Sequence, residues 1–199
     1  AKILYHWRAH QASTAKDPDS KQYAFEAGIR VLEDHYRRIG VSAEVSYGRH
    51  QGLYRTVYEM REKPLLSVLI PSKDHSEDLD KCIRSLLEKS DYRNIEIIVV
   101  ENNSTEDKTF EYYETVQKRY PQVKVAVWDK GRKFNYSALN NYGASLARGE
   151  YLLLLNNDTE MIRPDSISEM IRVAQRPEVG IVGARLLYED NTLQHAGVV

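Results

Sequence analysis

The sequence contains one cysteine, and its six prolines and ten glycines are scattered along 199 residues. A single cysteine excludes an intrachain disulfide framework and a cysteine-rich metal site. Cys82 lies among Leu79, Ile83 and Leu86 at helical spacing, which predicts a small buried hydrophobe in a helix. A lone thiol fits a reducing compartment, so we expect a cytoplasmic protein.

Long apolar runs are also absent. The longest, Tyr151–Leu155, is much shorter than the roughly 18 residues that a membrane-spanning helix needs. The N-terminus does not resemble a signal peptide, because His6, Trp7 and Arg8 interrupt any apolar stretch. The net charge of -1 gives no global attraction to nucleic acid, which we do not expect as a partner. The chain begins with Ala1 rather than methionine, which favours a fragment of a longer protein.

Three common signatures of nucleotide-binding or hydrolytic enzymes do not occur. No strand is followed by G-x-G-x-x-G or by G-x-x-x-x-G-K-[ST], which disfavours dinucleotide oxidoreductases and P-loop enzymes. The absence of G-x-S-x-G disfavours an α/β-hydrolase. The six histidines show no metal-binding spacing.

Residues 1–63 differ in pattern from the rest. Apolar residues at helical spacing predict an amphipathic helix over about 20–39, which Gly40 ends. Two short strands and a charged linker are predicted after it, at Ala43–Ser46, Leu53–Tyr58 and Glu59–Pro64. We therefore predict a small N-terminal appendage or inter-domain element at 1–63 and a larger domain at 64–199.

The larger domain alternates apolar strands with amphipathic helices. The predicted strands are 66–70, 95–100, 123–128, 151–155 and 179–187. The predicted helices cover about 77–89, 106–119 and 135–147, and a further helix starts at Pro164. Strands that are apolar on both faces and alternate with helices indicate an α/β fold with a mostly parallel sheet covered on both sides.

A polar cluster follows each of three predicted strands. These clusters are Pro71–Asp74, Glu101–Thr105 and Asn156–Glu160. Ligands of such sheets bind beyond the carboxyl ends of the strands. Any one cluster is equally typical of turns and helix caps, but three at one edge favour a binding site.

The residue types suit a nucleotide. A carboxylate or amide near Asn102 can pair with the polar edge of a pyrimidine. Mg²⁺ binds one or two carboxylates together with phosphate oxygens, and Asp158 beside Asn156 or Asn157 fits that need. Lys133 is the best basic candidate for the phosphates, although a solvated surface lysine explains it equally well.

Longer segments resemble the inverting glycosyltransferases of family 2. The resemblance covers about 65–199 and rests on Ser67–Asp74, Ile97–Thr105, Phe134–Gly143 and Ala147–Glu160, in that order. The ending Gln194–Val199 is similar to members described as rhamnosyltransferases. The resemblance implies a GT-A fold, a divalent metal (Mn²⁺ or Mg²⁺), a UDP- or dTDP-sugar donor and a saccharide acceptor.

The resemblance also implies roles by position. The residues expected to bind the nucleotide sugar are Pro71, Ser72, Lys73, Asp74, Glu101, Asn102, Lys133, Asn140 and Asn157. Asp158 is the expected metal ligand, with Asn156 where the family has its first acid. This departure from two acids to one suggests a weaker metal site, or one completed by donor and water.

The second half of the family's domain is expected beyond Val199, together with the acceptor site and the catalytic base. Because the acceptor hydroxyl needs a base, we expect this chain alone to bind donor poorly or not at all and not to turn over. Leu4–Arg8 resembles the end of a preceding transferase domain, although an ordinary segment leading into a helix explains it equally well.

The leading hypothesis is therefore sugar transfer with inversion in surface polysaccharide synthesis, by a longer multi-domain protein. Peripheral association of that protein with the inner face of the membrane is part of this expectation. A non-catalytic donor-binding or scaffolding module is the alternative, to which Asn156 gives weight. A nucleotidyltransferase ranks last, because Ser72–Asp74 is not a glycine- and arginine-rich phosphate loop.

Overall fold

The computed structural model describes residues 5–6, 22–128, 131 and 133–197. Within these residues the chain forms two compact units that divide between Glu59 and Met60. The segment Leu4–Arg8 lies mostly outside the described residues, as do the last two residues of Gln194–Val199.

The first unit is a helix with a hairpin. Helix α1 spans Gln22–Arg38, and the antiparallel strands β1 and β2 span Ala43–Tyr47 and Tyr54–Tyr58. The helix ends as predicted before Gly40, whose φ of 69° belongs to the left-handed region that glycine adopts without strain. The Tyr54 hydroxyl donates to the carbonyl oxygen of Phe25 on α1 at 3.1 Å, which ties the hairpin to the helix.

The second unit is built on a four-stranded parallel sheet. Its strands are β3 (Leu66–Ser72), β4 (Ile95–Glu101), β5 (Val123–Val127) and β6 (Tyr151–Leu154), and their order across the sheet is β5-β4-β3-β6. Every residue of β4 is buried, as expected for a central strand of a parallel sheet.

Helices cover both faces of this sheet. They are α2 (Ser76–Arg84, continued by a π-helical turn at Ser85–Lys89), α3 (Asp107–Arg119), α4 (Tyr136–Leu146) and α5 (Ser166–Ala174). Helices α2, α3 and α5 contribute Leu79, Val116 and Ile167 to the larger apolar core. Helix α4 covers the other face, where Leu139 packs with Leu69 of β3.

The prediction of a strand over 179–187 is wrong. Only Leu186–Leu187 (β7) is a strand there, and it pairs antiparallel with Leu193–His195 (β8) apart from the parallel sheet. The apolar run contains Gly180 and Gly183, and Ile181 is 94% exposed. Glycine weakens a strand because it has no side chain to pack. The apolar residues of this segment therefore did not form a strand of the parallel sheet.

The helix predicted from Pro164 begins two residues later, at Ser166. Pro164 lies instead in the preceding turn, where its carbonyl oxygen accepts a hydrogen bond from the Asp91 amide at 2.9 Å. The prediction for Cys82 is confirmed, because its side chain is fully buried. Burial raises the pKa of the Cys82 thiol to about 11, so it remains protonated and unreactive near neutral pH.

A partly buried ion pair lies at the edge where the strands begin, which we call the amino edge. The Glu96 carboxylate accepts hydrogen bonds from the Ser67 hydroxyl at 2.7 Å and from the Arg148 amide at 2.7 Å. The Arg148 guanidinium adds an ion pair at 2.8 Å. Ser67 also accepts from the Gly149 amide at 2.9 Å, so the turn between α4 and β6 is fastened to β3 and β4.

Candidate functional site

A cavity of about 530 Å³ opens at the opposite edge, where the parallel strands end, which we call the carboxyl edge. Residues from three strand ends and from the beginning of α4 line it: Pro71, Ser72, Lys73, His75, Asn102, Asn103, Phe134, Tyr136, Leu139, Asn156 and Asn157. The position agrees with the general rule for open parallel sheets, and the volume is in the range of small-molecule sites.

The turn after β3 has an unusual backbone. Asp74 and His75 follow one another with φ values of 53°, a left-handed conformation that few residues other than glycine adopt. This conformation places Lys73 and His75 in the cavity wall, while the Asp74 side chain is directed to the neighbouring turn. Such strain is found most often at functional sites.

Asp74 joins two loops rather than lining the cavity. Its carboxylate accepts hydrogen bonds from the backbone amides of Thr105 and Glu106 at 2.8 and 3.0 Å. These amide bonds, that of Glu106 first, hold the pKa of Asp74 below its ordinary value. Asp74 is therefore ionised at neutral pH, and it fixes the turn after β3 to the segment that precedes α3.

Glu101, at the end of β4, also has partners within the fold. The backbone amide and hydroxyl of Ser104 donate to its two oxygens at 2.6 Å each, and the Tyr113 hydroxyl donates at 2.7 Å. Burial first, and then the bond to Glu101, raise the pKa of Tyr113 well above its ordinary value. The Tyr113 hydroxyl therefore stays protonated as a donor.

The amides that follow Glu101 face the cavity. Asn102 is 5% exposed and lines the cavity with Asn103, whose φ is 58°. The Asn103 Nδ2 donates to Asn102 Oδ1 at 3.2 Å, and Asn103 Oδ1 accepts from the Gly131 amide at 3.0 Å. An amide carries both donors and an acceptor, so Asn102 can pair with a polar ligand edge of either kind.

The beginning of α4 forms another wall. Asn135 caps the helix by accepting a hydrogen bond from the Ala138 amide at 3.0 Å, and the side chains of Phe134 and Tyr136 line the cavity on either side of it. Asn140 is buried, and its Nδ2 donates to the Tyr136 carbonyl oxygen at 2.9 Å. The Asn140 Oδ1 is buried without a hydrogen-bond partner among the described residues.

The loop after β6 supplies oxygen atoms that suit a divalent metal. Asn156 and Asn157 line the cavity, and Asp158 follows as an exposed carboxylate. Glu160, two residues on, is paired with Lys89. No group of three histidine, cysteine or acidic side chains in the described parts of the chain is arranged as a metal site. One carboxylate with amide neighbours fits Mg²⁺ or Mn²⁺ only where water and ligand phosphates complete the coordination.

Six of the eleven predicted residues line the cavity, namely Pro71, Ser72, Lys73, Asn102, Asn156 and Asn157. The other five, Asp74, Glu101, Lys133, Asn140 and Asp158, are not among the residues that line it. Sequence reasoning missed His75, Asn103, Phe134, Tyr136 and Leu139. A signal for the last three was available, because a helix that leads back from β5 to a parallel β6 must start at the carboxyl edge.

Comparisons with known proteins agree with this fold. The sheet and its helices are those of GT-A glycosyltransferases, a class represented by a mannosyltransferase from Pyrobaculum calidifontis solved with GDP-mannose and Mn²⁺. That structure superposes with a TM-score of 0.53 at 17% identity, over 79% of this chain and 43% of the other. Residues 67–196 match the model of glycosyl transferase family 2, and the chain belongs to that family.

Two curated relatives match nearly the whole chain. An uncharacterized protein of Sinorhizobium fredii, y4gI, is 45% identical over 100% of this chain and 22% of its own length. The O-antigen biosynthesis protein RfbC of Myxococcus xanthus is 42% identical over 98% of this chain and 15% of its own length. The chain thus spans less than a quarter of either relative.

No described helix has both the length and the apolar character that a membrane crossing requires.

Proposed function

We propose that this chain binds the nucleotide-sugar donor of a family 2 glycosyltransferase whose complete protein builds a surface polysaccharide. The observation that carries the proposal is the amide-lined cavity at the carboxyl edge of the sheet. The buried Asn102 offers an amide for a base, and the exposed Lys73 and His75, together with the β6 loop, offer groups for a diphosphate. The family match and the relationship to an O-antigen biosynthesis protein support this assignment.

The donor is a UDP- or dTDP-sugar, and its sugar is transferred with inversion to a saccharide acceptor. Asn102 pairs with the carbonyl and N–H edge that uracil and thymine share. A rhamnosyl donor remains part of the proposal through the resemblance of Gln194–Val199. The base that deprotonates the acceptor belongs to the second half of the family's domain. We place the complete protein in the cytoplasm, at the inner face of the membrane.

Asp158 would hold the divalent metal with Asn156, and a metal there neutralises charge on the donor diphosphate. The neighbouring positions allow a matched comparison, because Glu160 is an acid in the same loop that is already paired with Lys89. The metal found with the Pyrobaculum mannosyltransferase supports this part of the proposal.

The test is a calorimetric titration of the chain with UDP, dTDP and GDP, each with and without Mn²⁺. We expect metal-dependent binding of a pyrimidine diphosphate, a loss of at least about tenfold in affinity for Asp158→Ala, and wild-type affinity for Glu160→Ala. Binding that is equally strong without metal, or equally weakened by both substitutions, would contradict the metal assignment. Failure of all three nucleotides to bind would overturn donor binding itself.

A further inference from the structure

Two aromatic side chains that line the cavity are largely exposed. Phe134 is 68% exposed and Tyr136 is 45% exposed, yet both line the cavity. The neighbouring Leu139, one turn further along α4, is fully buried in the core. The rings therefore add little to the packing of the fold, and they present apolar surface where a ligand enters.

The amide groups elsewhere in the cavity lining indicate what kind of ligand the rings contact. Asn102 and Asn103 offer amide groups directly after β4, in the lining of the same cavity. A ligand that fits between amides and aromatic rings has a polar edge and apolar faces. Nucleobases have this form, and their faces stack on aromatic side chains whatever the base.

The backbone near the two rings is hydrogen-bonded before a ligand binds. Asn103 joins the turn after β4 to the segment that precedes α4, because its Oδ1 accepts a hydrogen bond from the Gly131 amide at 3.0 Å. On the other side, Asn135 caps α4 directly between Phe134 and Tyr136. Anchoring on both sides lowers the entropy that binding must remove, which favours a ligand contact over a loop of no consequence.

We propose that Phe134, supported by Tyr136, is the stacking residue for the donor nucleobase, whose polar edge pairs with Asn102. This inference rests on the proposed function and adds a ligand contact to it. It assigns base affinity to the beginning of α4.

The test compares a nucleotide with its diphosphate alone. The wild-type chain, Phe134→Ala, Phe134→Tyr and Phe134→Leu are titrated with UDP and with inorganic pyrophosphate at the same Mn²⁺ concentration. Tyr188→Ala is the matched control, because Tyr188 is 56% exposed in the same unit and does not line the cavity. The melting temperature of each variant is measured alongside, and we expect no change because the ring is exposed.

We expect Phe134→Ala to bind UDP about tenfold more weakly, a loss typical of one base–aromatic stack. Phe134→Tyr should keep wild-type affinity, and Phe134→Leu should fall between the two. Pyrophosphate should bind all variants equally, and Tyr188→Ala should match the wild type with both ligands.

Two outcomes would overturn stacking while leaving donor binding in place. One is wild-type UDP affinity in Phe134→Ala, and the other is an equal loss of UDP and pyrophosphate binding, which would indicate a role at the diphosphate. A wild-type chain that binds UDP no better than it binds pyrophosphate would likewise exclude a base contact. If the wild type binds no nucleotide at all, the proposed function fails first, and the stacking proposal fails with it.

Discussion

Strand β4 carries a buried glutamate near each of its ends, and the two differ in what surrounds them. Glu96 lies at the amino edge of the sheet and Glu101 at the carboxyl edge, and each is 3% exposed. Glu96 binds groups from two other segments, β3 and the turn before β6. Glu101 binds Ser104 and Tyr113, which come from the turn after its own strand and the helix that follows.

This difference separates structural polar groups from those that are available to a ligand. At the amino edge, hydrogen bonds close the gap between strands, and Gly149 lies against Ser67 too closely for a side chain. At the carboxyl edge, the carboxylates of Asp74 and Glu101 accept hydrogen bonds from the turn after β4 and from α3, and the neighbouring amides line an open cavity. These two acids position the site, and the amides face it.

The largest effect is expected from Glu96→Ala. The substitution leaves the Ser67 hydroxyl and the Arg148 amide without their acceptor and breaks a partly buried ion pair, so it should lower the free energy of unfolding by about 3 kcal/mol. Urea denaturation followed by circular dichroism measures this loss. Glu114→Ala is the control, because Glu114 pairs with Lys118 on an exposed helix face and should cost less than about 1 kcal/mol.

The difference in stability between the wild type and Glu96→Ala should also depend on pH. Burial alone would raise the pKa of Glu96, but hydrogen bonds from Ser67 and Arg148 outweigh it and lower the pKa below 4.5. A depressed pKa stabilises the fold above the unfolded value and loses that contribution as pH falls through the folded value. The stability gap between wild type and Glu96→Ala should therefore be full at neutral pH and shrink below about pH 4.5. A gap that stays constant down to acid unfolding would contradict an ionised Glu96.

Gly149→Ala should have the next largest effect. A Cβ at this position would lie 2.5 Å from the Leu65 carbonyl oxygen and 2.8 Å from the Ser67 amide nitrogen, and neither backbone atom can move without disturbing β3. Overpacking of this kind costs about 2 kcal/mol. Gly180→Ala is the matched control, since its Cβ meets nothing within 4 Å. Equal unfolding midpoints for the two variants would show that the amino edge is looser than described.

Much of this fold could be predicted from the sequence because its central strands are short, apolar on both faces and separated by clear helix patterns. Ile95–Glu101 is an example, with a run of β-branched residues that is buried throughout. The prediction failed over 179–187, where apolar residues are interrupted by two glycines and Ile181 is exposed. Hydrophobicity indicates a tendency to be buried, but whether a segment joins the sheet depends on neighbours distant in sequence.

The site was predicted in part for a related reason. The strand ends placed Ser72, Asn102 and Asn157 at one cavity, because the edge of a parallel sheet brings successive strand ends together. Nothing in the sequence distinguishes an acid that a fold satisfies from one that it leaves free. Asp74 and Glu101 were therefore expected to contact the ligand, and the structure joins them to loop amides and hydroxyls instead. Their direct contact with a donor stays a prediction.

Ser104→Ala gives the smallest expected change in stability and the most direct test of the carboxyl edge. The Ser104 hydroxyl donates to Glu101 at 2.6 Å and accepts from the Asp74 amide at 2.9 Å, so it joins the turns after β3 and β4. Its loss should cost about 1 kcal/mol in unfolding free energy, because Tyr113 and the residue 104 amide still satisfy Glu101. The free energy of nucleotide binding should change by more than the free energy of unfolding, because Asn102, which lines the cavity, directly follows Glu101.

The control for that variant is Ser145→Ala, whose hydroxyl donates only within its own helix, to the Tyr142 carbonyl oxygen at 2.7 Å. It should leave both UDP affinity and the unfolding midpoint near wild type. If Ser104→Ala proves as destabilising as Glu96→Ala, the two edges are fastened equally, and the contrast between them is wrong. Hydrogen bonds that position Asn102 must change ligand binding when they are removed. If Ser104→Ala lowers stability but leaves nucleotide affinity intact, the bonds of Ser104 therefore serve folding alone.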